Sequence, residues 1–278
     1  MHLQDYDISK KYPATLLSSE RLTPDESDEV RELSLHVEGF DFEVGQLIGV
    51  LVPGPHEQGH EHHFRLYAIA NVPDGNKIEL CVKRCSYIDG YSGERYAGIS
   101  SNYLCDLKAG DKLTVTGPYG LPFTIPEDKN SDLIMIGLGT GIAPFRAFIS
   151  HIYNKLGDWQ GKVRLFYGSQ TGLESLYMND KRNDFTQYYD KETFAAFKAV
   201  SPRPHWHDEV AFHDTLKEHQ EEVWAMLSDP DTHVYVAGLA SIGKTLDEVF
   251  ADMAGSKEKW QRRKAELVAG ERWVELIY

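Results

Sequence analysis

The chain has 278 residues, 41% of them hydrophobic, and 29 lysines and arginines stand against 43 aspartates and glutamates for a formal net charge of −14. That length and hydrophobic content fit two domains with sizeable cores, no apolar run approaches the length of a membrane span, and the acidic balance argues against general nucleic-acid binding. Three cysteines, Cys81, Cys85 and Cys105, cannot pair completely or supply the four ligands of an iron–sulfur cluster. The opening Met1–Tyr6 has neither the basic stretch nor the apolar core of a signal peptide. A reducing, cytoplasmic setting is expected, with no nucleic acid as partner and no integral membrane segment.

The first part of the chain reads as strands. Glu32 to Val37 alternates polar and apolar residues, as a half-buried strand does. Leu47–Val52, Arg65–Asn71, Ile78–Lys83 and Lys112–Thr116 are further short runs. Pro53-Gly54-Pro55, Pro73-Asp74-Gly75 and Gly117-Pro118-Tyr119-Gly120 punctuate them. Short strands in series predict an N-terminal antiparallel β-barrel. Four histidines, His56, His60, His62 and His63, have a spacing that a transition metal could use. No cysteine or fixed carboxylate accompanies them, so a solvated loop is expected and no metal site is assigned.

The pattern changes at the polar stretch Pro126–Ser131, which sets the expected domains at residues 1–126 and 127–278. Leu133–Ile136 is continuously apolar, the mark of a strand buried on both faces. A glycine loop and a helical stretch, Ala143 to Lys155, follow. Val163–Tyr167 and His233–Ala237 repeat the strand signal, with helices between them, including Asp208 to Leu227. Alternating strands and helices predict a C-terminal α/β domain with a doubly wound parallel sheet.

Several blocks carry chemistry. Gly137-Leu138-Gly139-Thr140-Gly141-Ile142-Ala143-Pro144-Phe145-Arg146 follows the buried strand and opens a helix. Glycines there let backbone approach phosphate, and the helix start offers N–H groups and the positive end of its dipole. Arg65-Leu66-Tyr67-Ala68 joins an arginine to an aromatic. Cys81-Val82-Lys83-Arg84, Gly98-Ile99-Ser100-Ser101 with Asn102–Leu107, and Gly117–Gly120 come next. Phe166–Thr171 with Ser175-Leu176-Tyr177, then Tyr235–Leu239, and finally Trp273–Tyr278 complete the series. In this order, from about Tyr12 onward, the blocks resemble the plant-type ferredoxin–NADP(H) reductase family, FAD-containing enzymes of two domains.

The resemblance implies roles. Arg65 and the turn Ile99-Ser100-Ser101 would hold the FAD pyrophosphate, with Gly98 permitting close approach. Tyr67 and Tyr278 would cover the two faces of the flavin ring, Tyr278 also acting as a gate. Leu66 and Ala68 flank Tyr67, Cys81 and Val82 pass the flavin, and Tyr87 packs on the adenine end. Lys83 would reach the phosphates of the nicotinamide cofactor. Gly139, Thr140, Gly141, Ser169, Gln170, Gly238 and Leu239 form the NADP(H) loops, and Ser201 with Arg203 select a 2′-phosphate. His205 and His207 are weaker candidates, and NAD(H) remains a possible cofactor.

Three positions depart from the family. It has serine at Ala68, cysteine at Ala237, and glutamate two residues before the terminal aromatic, where Leu276 stands. Glu275 is the expected substitute at the reaction centre, beside Tyr67 and Tyr278. The expected activity is electron transfer between NADP(H) and a one-electron carrier such as ferredoxin or flavodoxin. Two alternatives stay open: the reductase component of a multicomponent oxygenase, and a flavin-binding regulatory subunit with slow hydride transfer. An acidic ferredoxin would need a local basic face. Lys83 with Arg84, or Lys257, Lys259, Arg262, Arg263 and Lys264, are the candidates, the second set reading first as the solvated side of a helix.

Overall fold

The computed structural model describes residues 3–54, 61–120, 123–202 and 210–277. The chain divides into two compact units, Met1–Leu121 and Pro122–Tyr278.

The first unit is built from β1 Lys11–Arg21, β2 Val30–Val37, β3 Leu47–Pro53, β4 His62–Ala68, β5 Lys77–Lys83 and β8 Lys112–Tyr119. A short hairpin, β6 Ser86–Ile88 with β7 Arg95–Ala97, and helix α1 Ile99–Asp106 lie between β5 and β8. The six strands pair antiparallel in the order β4-β3-β8-β1-β2-β5. Ile69, just past β4, bridges Leu80 of β5, and Ala70 N donates to Glu79 O at 2.8 Å. These contacts join the two edges and close the sheet into the expected barrel, which removes exposed edge strands. Leu16, Leu33, Leu35, Ile48, Val50, Leu80, Val82 and Val115 fill its core, with Leu104 and Cys105 of α1 among them.

Gly49 sits inside β3, where glycine usually weakens a strand. A Cβ there would lie 2.4 Å from both the Phe64 ring and Thr116 Oγ1, so the residue must be bare. Phe64, Tyr119 and Tyr6 pack ring to ring beside it, and Tyr119 Oη donates to Asp7 O at 2.8 Å.

One arginine ties the barrel to α1. Arg84, just past β5, donates from Nε to Glu29 at 2.7 Å, from Nη1 to Asn102 Oδ1 at 2.9 Å and from Nη2 to Asp106 at 2.8 Å. Glu29 also accepts from Arg31 at 2.5 Å.

The second unit contains β9 Leu133–Leu138, α2 Ile142–His151, β10 Val163–Ser169, β11 Phe194–Val200, α3 Phe212–Glu218, α4 Gln220–Ser228, β12 His233–Gly238, α5 Ser241–Ala254, α6 Lys257–Ala269 and β13 Trp273–Ile277. The five strands run parallel in the order β11-β10-β9-β12-β13. This is the doubly wound arrangement the alternating pattern predicts. Ile134, Ile136, Phe166, Val234 and Val236 pack with Phe250, Trp260 and Trp273 in its core.

Several details differ from the sequence pattern. The single helix expected from Asp208 to Leu227 breaks at His219, whose ring lies 3.8 Å from that of Phe197 on β11. Helix α2 passes at Ile152 into a π-helical turn that ends at Leu156. β11 itself lacks a strong strand signal, because Ala195, Ala196 and Lys198 break its apolar run. The division between units falls before Phe123 rather than in the polar stretch after Pro126. Phe123 is fully buried, 5.5 Å from Phe145 and 5.3 Å from Tyr235, and Tyr235 Oη donates to Thr124 O at 2.5 Å. Those contacts hold the linker to the second core.

The Arg84 guanidinium beside Glu29 holds its carboxyl below the usual value of 4.5. A lowered pKa in the folded chain means stabilisation that is fully present above 4.5 and lost as pH falls through the folded value. Glu29→Gln is expected to lower the stability of the barrel by about 1.5–3 kcal/mol at pH 7, the worth of hydrogen bonds to a charged group. The loss should shrink between pH 5 and pH 3, as read from urea unfolding at each pH; an equal loss at both ends would remove the ion pair as its cause.

Candidate functional site

Each unit presents a half-site. In the first, the two-residue period of β4 places Arg65 and Tyr67 on one face and Leu66 and Ala68 on the other. Tyr67 Oη donates to Ser100 Oγ at 2.9 Å, which brings that face of β4 to the start of α1. Burial pushes the Tyr67 phenol up to about 12, and the Ser100 hydroxyl pulls weakly the other way. The ring is therefore neutral and held in place at any physiological pH. Arg65 is exposed; its Nη1 donates to Phe64 O at 2.9 Å, and it has no carboxylate partner among the described residues.

Helix α1 begins without a side-chain cap. Gly98 is its N-cap, in extended backbone, and Ser100 and Ser101 are buried in the first turn. A Cβ on Gly98 would stand 3.0 Å from Ser101 Oγ and 3.1 Å from Cys85 O. Ser101 Oγ accepts from Cys85 N at 3.1 Å, and Asn102 Nδ2 donates to Cys85 O and Gly98 O. The helix start is thus fixed against the strand while its first N–H groups remain for a ligand. An uncapped helix start and an arginine without an acidic partner fit a diphosphate.

Val82 belongs to the barrel core and Cys81 is 6% exposed, so a ligand here would meet their backbone rather than their side chains. Lys83 Nζ lies 2.7 Å from Asp28 Oδ2. Tyr87 on β6 stacks on Tyr96 on β7, centroids 5.6 Å apart and planes at 25°, and both rings are largely exposed. This double platform, which the sequence shows only as two aromatics flanking a turn, suits a flat purine.

In the second unit the sheet order reverses between β10-β9 and β9-β12, the switch point where α/β sheets bind ligands. Gly139–Gly141 turns there into α2. A Cβ on Gly141 would fall 2.2 Å from Ala237 O and 3.0 Å from Gly238 N, so only glycine lets the loop lie against β12. Gly238 has φ +141°, and its Cβ would meet Leu138 at 2.9 Å. Tyr167 Oη donates to Gly139 O at 3.0 Å. Thr140 is the middle residue of this turn, and Leu239, just past β12, is half-exposed.

The second loop is equally fixed. Ser169 Oγ donates to Thr171 O at 2.9 Å and lies 2.7 Å from Ser175 Oγ, with Gln170 half-buried between them. Arg146, one turn into α2, reaches Asp184 at 2.6 Å and stands 4.8 Å from the Tyr177 ring centroid. Arg182 binds the same carboxylate at 2.9 Å and the same ring at 5.5 Å. Only the fixed spacing of Arg146 and Tyr177 within their motifs signals this clamp in the sequence. Ser201 follows β11; it is 4% exposed, and its Oγ has no hydrogen-bond partner among the described residues. A buried hydroxyl without a partner is costly and suits a polar ligand such as a phosphate.

Glu275 does not stand free. Trp273 Nε1 donates to its Oε1 at 2.6 Å, and Lys264 Nζ lies 3.6 Å from the same oxygen. Strand alternation puts Glu275 on the Trp273 face of β13, opposite Val274 and Leu276. Its Oε1 is thereby engaged, while the side chain stays 37% exposed. Tyr278, Arg203, His56, His60, His205 and His207 lie outside the described residues. His62 and His63 are half-buried on β4, and no metal-holding cluster occurs among the described residues.

Gly141→Ala is expected to force loop and strand apart and to weaken dinucleotide binding at least about tenfold, a loss near 1.4 kcal/mol. Flavin content should stay unchanged, because Gly141 belongs to the second unit. Titration calorimetry with NADP+ and the visible spectrum of the purified variant check both halves of that expectation.

Comparison with known proteins gives each unit a domain family. Residues 13–123 match the oxidoreductase FAD-binding domain family, and residues 135–247 the oxidoreductase NAD-binding domain family. The ferredoxin–NADP reductase of Spirulina sp. is 32% identical over 283 residues, spanning 96% of this chain and 95% of that protein. Leaf isozyme 1 of the chloroplastic ferredoxin–NADP reductase of Oryza sativa subsp. indica is 33% identical, spanning 98% of this chain and 78% of that protein. A solved structure of ferredoxin–NADP+ reductase from Plasmodium falciparum superposes with a TM-score of 0.73 at 21% identity, covering 99% and 98% of the two chains, and so shares the fold. With both cofactor-binding domains in order and near-full-length identity above 30%, the chain belongs to the ferredoxin–NADP reductase family.

Proposed function

We propose that this chain is an FAD-dependent oxidoreductase that moves electrons between NADP(H) and a one-electron carrier such as ferredoxin or flavodoxin. The observation that carries the reading is the Tyr67–Ser100 hydrogen bond, which brings the face of β4 that holds Arg65, a guanidinium with no carboxylate partner among the described residues, to an uncapped helix start. Bound FAD would supply the chemistry, taking a hydride from reduced nicotinamide and passing electrons on singly.

The chain's own residues bind and orient. Arg65 and the N–H groups of Ile99, Ser100 and Ser101 hold the pyrophosphate, and Gly98 admits it. Tyr67, locked by Ser100, supports one face of the flavin ring, and the Tyr87–Tyr96 pair carries the adenine. Gly139, Thr140 and Gly141 receive the nicotinamide cofactor's pyrophosphate, with Ser169, Gln170, Gly238 and Leu239 around it. Ser201 and Arg203 receive the 2′-phosphate, which favours NADP(H) over NAD(H). Tyr278 covers the second face of the ring, as the family resemblance implies. Lys83 must exchange Asp28 for a phosphate if it takes part.

Among the described residues no helix is long and apolar enough to cross a membrane. No disulfide occurs among the described residues, which favours a reducing compartment such as the cytoplasm.

The purified protein is expected to hold one noncovalent FAD, and anaerobic NADPH should bleach its flavin absorbance. Arg65→Ala should raise the dissociation constant for FAD roughly tenfold to a hundredfold, from loss of charge-assisted hydrogen bonds. Release of FMN alone, or no bleaching by either nicotinamide cofactor, would contradict the assignment.

Arg203→Ala should raise the KM for NADPH about tenfold and leave that for NADH within twofold. Equal effects on both would remove Arg203 from the 2′-phosphate site.

A further inference from the structure

The first two dinucleotide loops of the second unit belong to different stretches of chain, and one carboxylate joins them. Arg146 stands one turn into α2, the helix that Gly139–Gly141 opens. Beyond β10, residues 171–184 are braced within themselves. Asn179 Nδ2 donates to Leu173 O at 2.8 Å, and the N–H groups of Lys181 and Arg182 each donate to Asn179 Oδ1 at 3.0 Å. Met178 pairs with Asn183 in a β-bridge. Ser175 is fully buried in this segment, and its hydroxyl lies 2.7 Å from that of Ser169 at the end of β10. The second loop therefore has an internal frame. That frame still needs a fixed place relative to α2.

Asp184 supplies it. Its Oδ2 takes Arg146 Nε at 2.6 Å and its Oδ1 takes Arg182 Nε at 2.9 Å, one oxygen for each guanidinium. Both guanidiniums lie against the Tyr177 ring, 4.8 and 5.5 Å from its centroid. The Asp184 N–H donates to Tyr177 O at 2.9 Å, beside the left-handed backbone of that residue, φ +59°. The side chains of Arg146, Asp184 and Arg182 are 15%, 21% and 24% exposed, so water screens their attraction less than that of an exposed pair. Two cations against one ring repel each other unless an anion stands between them. Asparagine at position 184 would offer one acceptor oxygen to two donors. Whichever way its amide turned, one guanidinium would face an NH2 group.

We infer that Asp184 is a positioning residue for the nicotinamide cofactor, an inference that rests on the oxidoreductase reading and its assignment of the two loops. By binding Arg146 and Arg182 at once, Asp184 fixes the loop of Ser169 and Gln170 against the start of α2 and so sets the spacing between the two loops that receive the cofactor. A binding site must be held to within about 0.5 Å by the groups behind it. The two loops receive parts that NADPH and NADH share. A shift between them therefore weakens both cofactors alike, unlike a change at Ser201 or Arg203.

The test follows steady-state turnover of the FAD-loaded protein with ferricyanide as acceptor, where one NADPH reduces two ferricyanide ions and leaves NADP+ and a proton. Asp184→Asn should raise the KM for NADPH and the KM for NADH by the same factor, about tenfold, with kcat within about threefold of wild type and the flavin spectrum unchanged. A loss of stability alone would shrink the folded fraction, which lowers the apparent kcat and leaves KM where it was. Arg146→Met should give a similar rise. The double variant should lie within about twofold of the worse single one, because both changes cut one link; independent effects would multiply to about a hundredfold. If Asp184→Asn does not fold, as read by thermal melting and flavin content, Arg146→Met alone decides against the same tenfold expectation. A KM within about twofold of wild type for both cofactors, a rise confined to NADPH, or multiplying effects in the double variant overturns the inference. Wild-type turnover with an unmoved variant KM defeats the inference alone. Wild-type flavin that anaerobic NADPH does not bleach defeats the oxidoreductase reading, and the role of Asp184 falls with it.

Discussion

Bare backbone close to a helix start is the constraint on which both half-sites depend. A diphosphate is bound best by several N–H groups at once, and a side chain in the way would hold it off. The chain meets this twice with different sequences. At Gly98 the strand end and α1 are drawn together by Ser101 and Asn102, which satisfy Cys85 and Gly98 from the helix side. At Gly141 the approach is tighter, since a Cβ would sit 2.2 Å from Ala237 O. A contact that close admits no relaxation by a flexible side chain, because both partners are backbone. The position of β12 beside β9, and with it the third loop at Gly238, follows from the absence of one carbon atom.

The fold was legible where the pattern was physical and local. Alternation marked β2, continuous apolar runs marked β9, β10 and β12, and the two halves of the chain differ in period as a barrel and a parallel sheet do. What the sequence concealed was governed by tertiary contacts. His219 reads as helix interior, yet the helix breaks there, with the His219 ring tilted against that of Phe197. Phe123 lies beside a polar stretch, yet its burial against Phe145 and Tyr235 places it with the second core. In the site, Arg65, Tyr67, Ser100 and Gly141 stand out as motif residues. Glu275 stands out equally, and only geometry shows it bound to Trp273 and Lys264. Sequence spacing gives the residue type at a position but not the hydrogen bond it has already made.

The same distinction governs the charges. A run such as Arg262-Arg263-Lys264 reads as a basic surface when only its own helix is considered. Surface ion pairs contribute little to stability, about 0–1 kcal/mol each. Arg84 adds a further point: by binding Glu29, Asn102 and Asp106 together it sets the position of α1, and hence of Ser100 beneath Tyr67. A cation can thus shape the flavin half-site without touching the ligand.

Backbone strain in the second unit lies beside the dinucleotide loops. Tyr177 is fully buried with φ +59°, a left-handed conformation that costs a bulky residue about 1–3 kcal/mol. Nothing local favours it. Arg146 and Arg182 each lie against its ring, and cation–π contacts give about 1 kcal/mol each, or more where water is excluded. Both guanidiniums also bind Asp184, and Asp184 N donates to Tyr177 O at 2.9 Å. Charge-assisted hydrogen bonds of about 1.5–3 kcal/mol then exceed the strain. The balance makes the strained turn the stable one, and it joins α2, which opens at the first phosphate loop, to the segment that carries Ser169 and Ser175. Two loops expected to hold one cofactor are thereby linked through a tyrosine whose strained backbone the spacing of the motifs does not show.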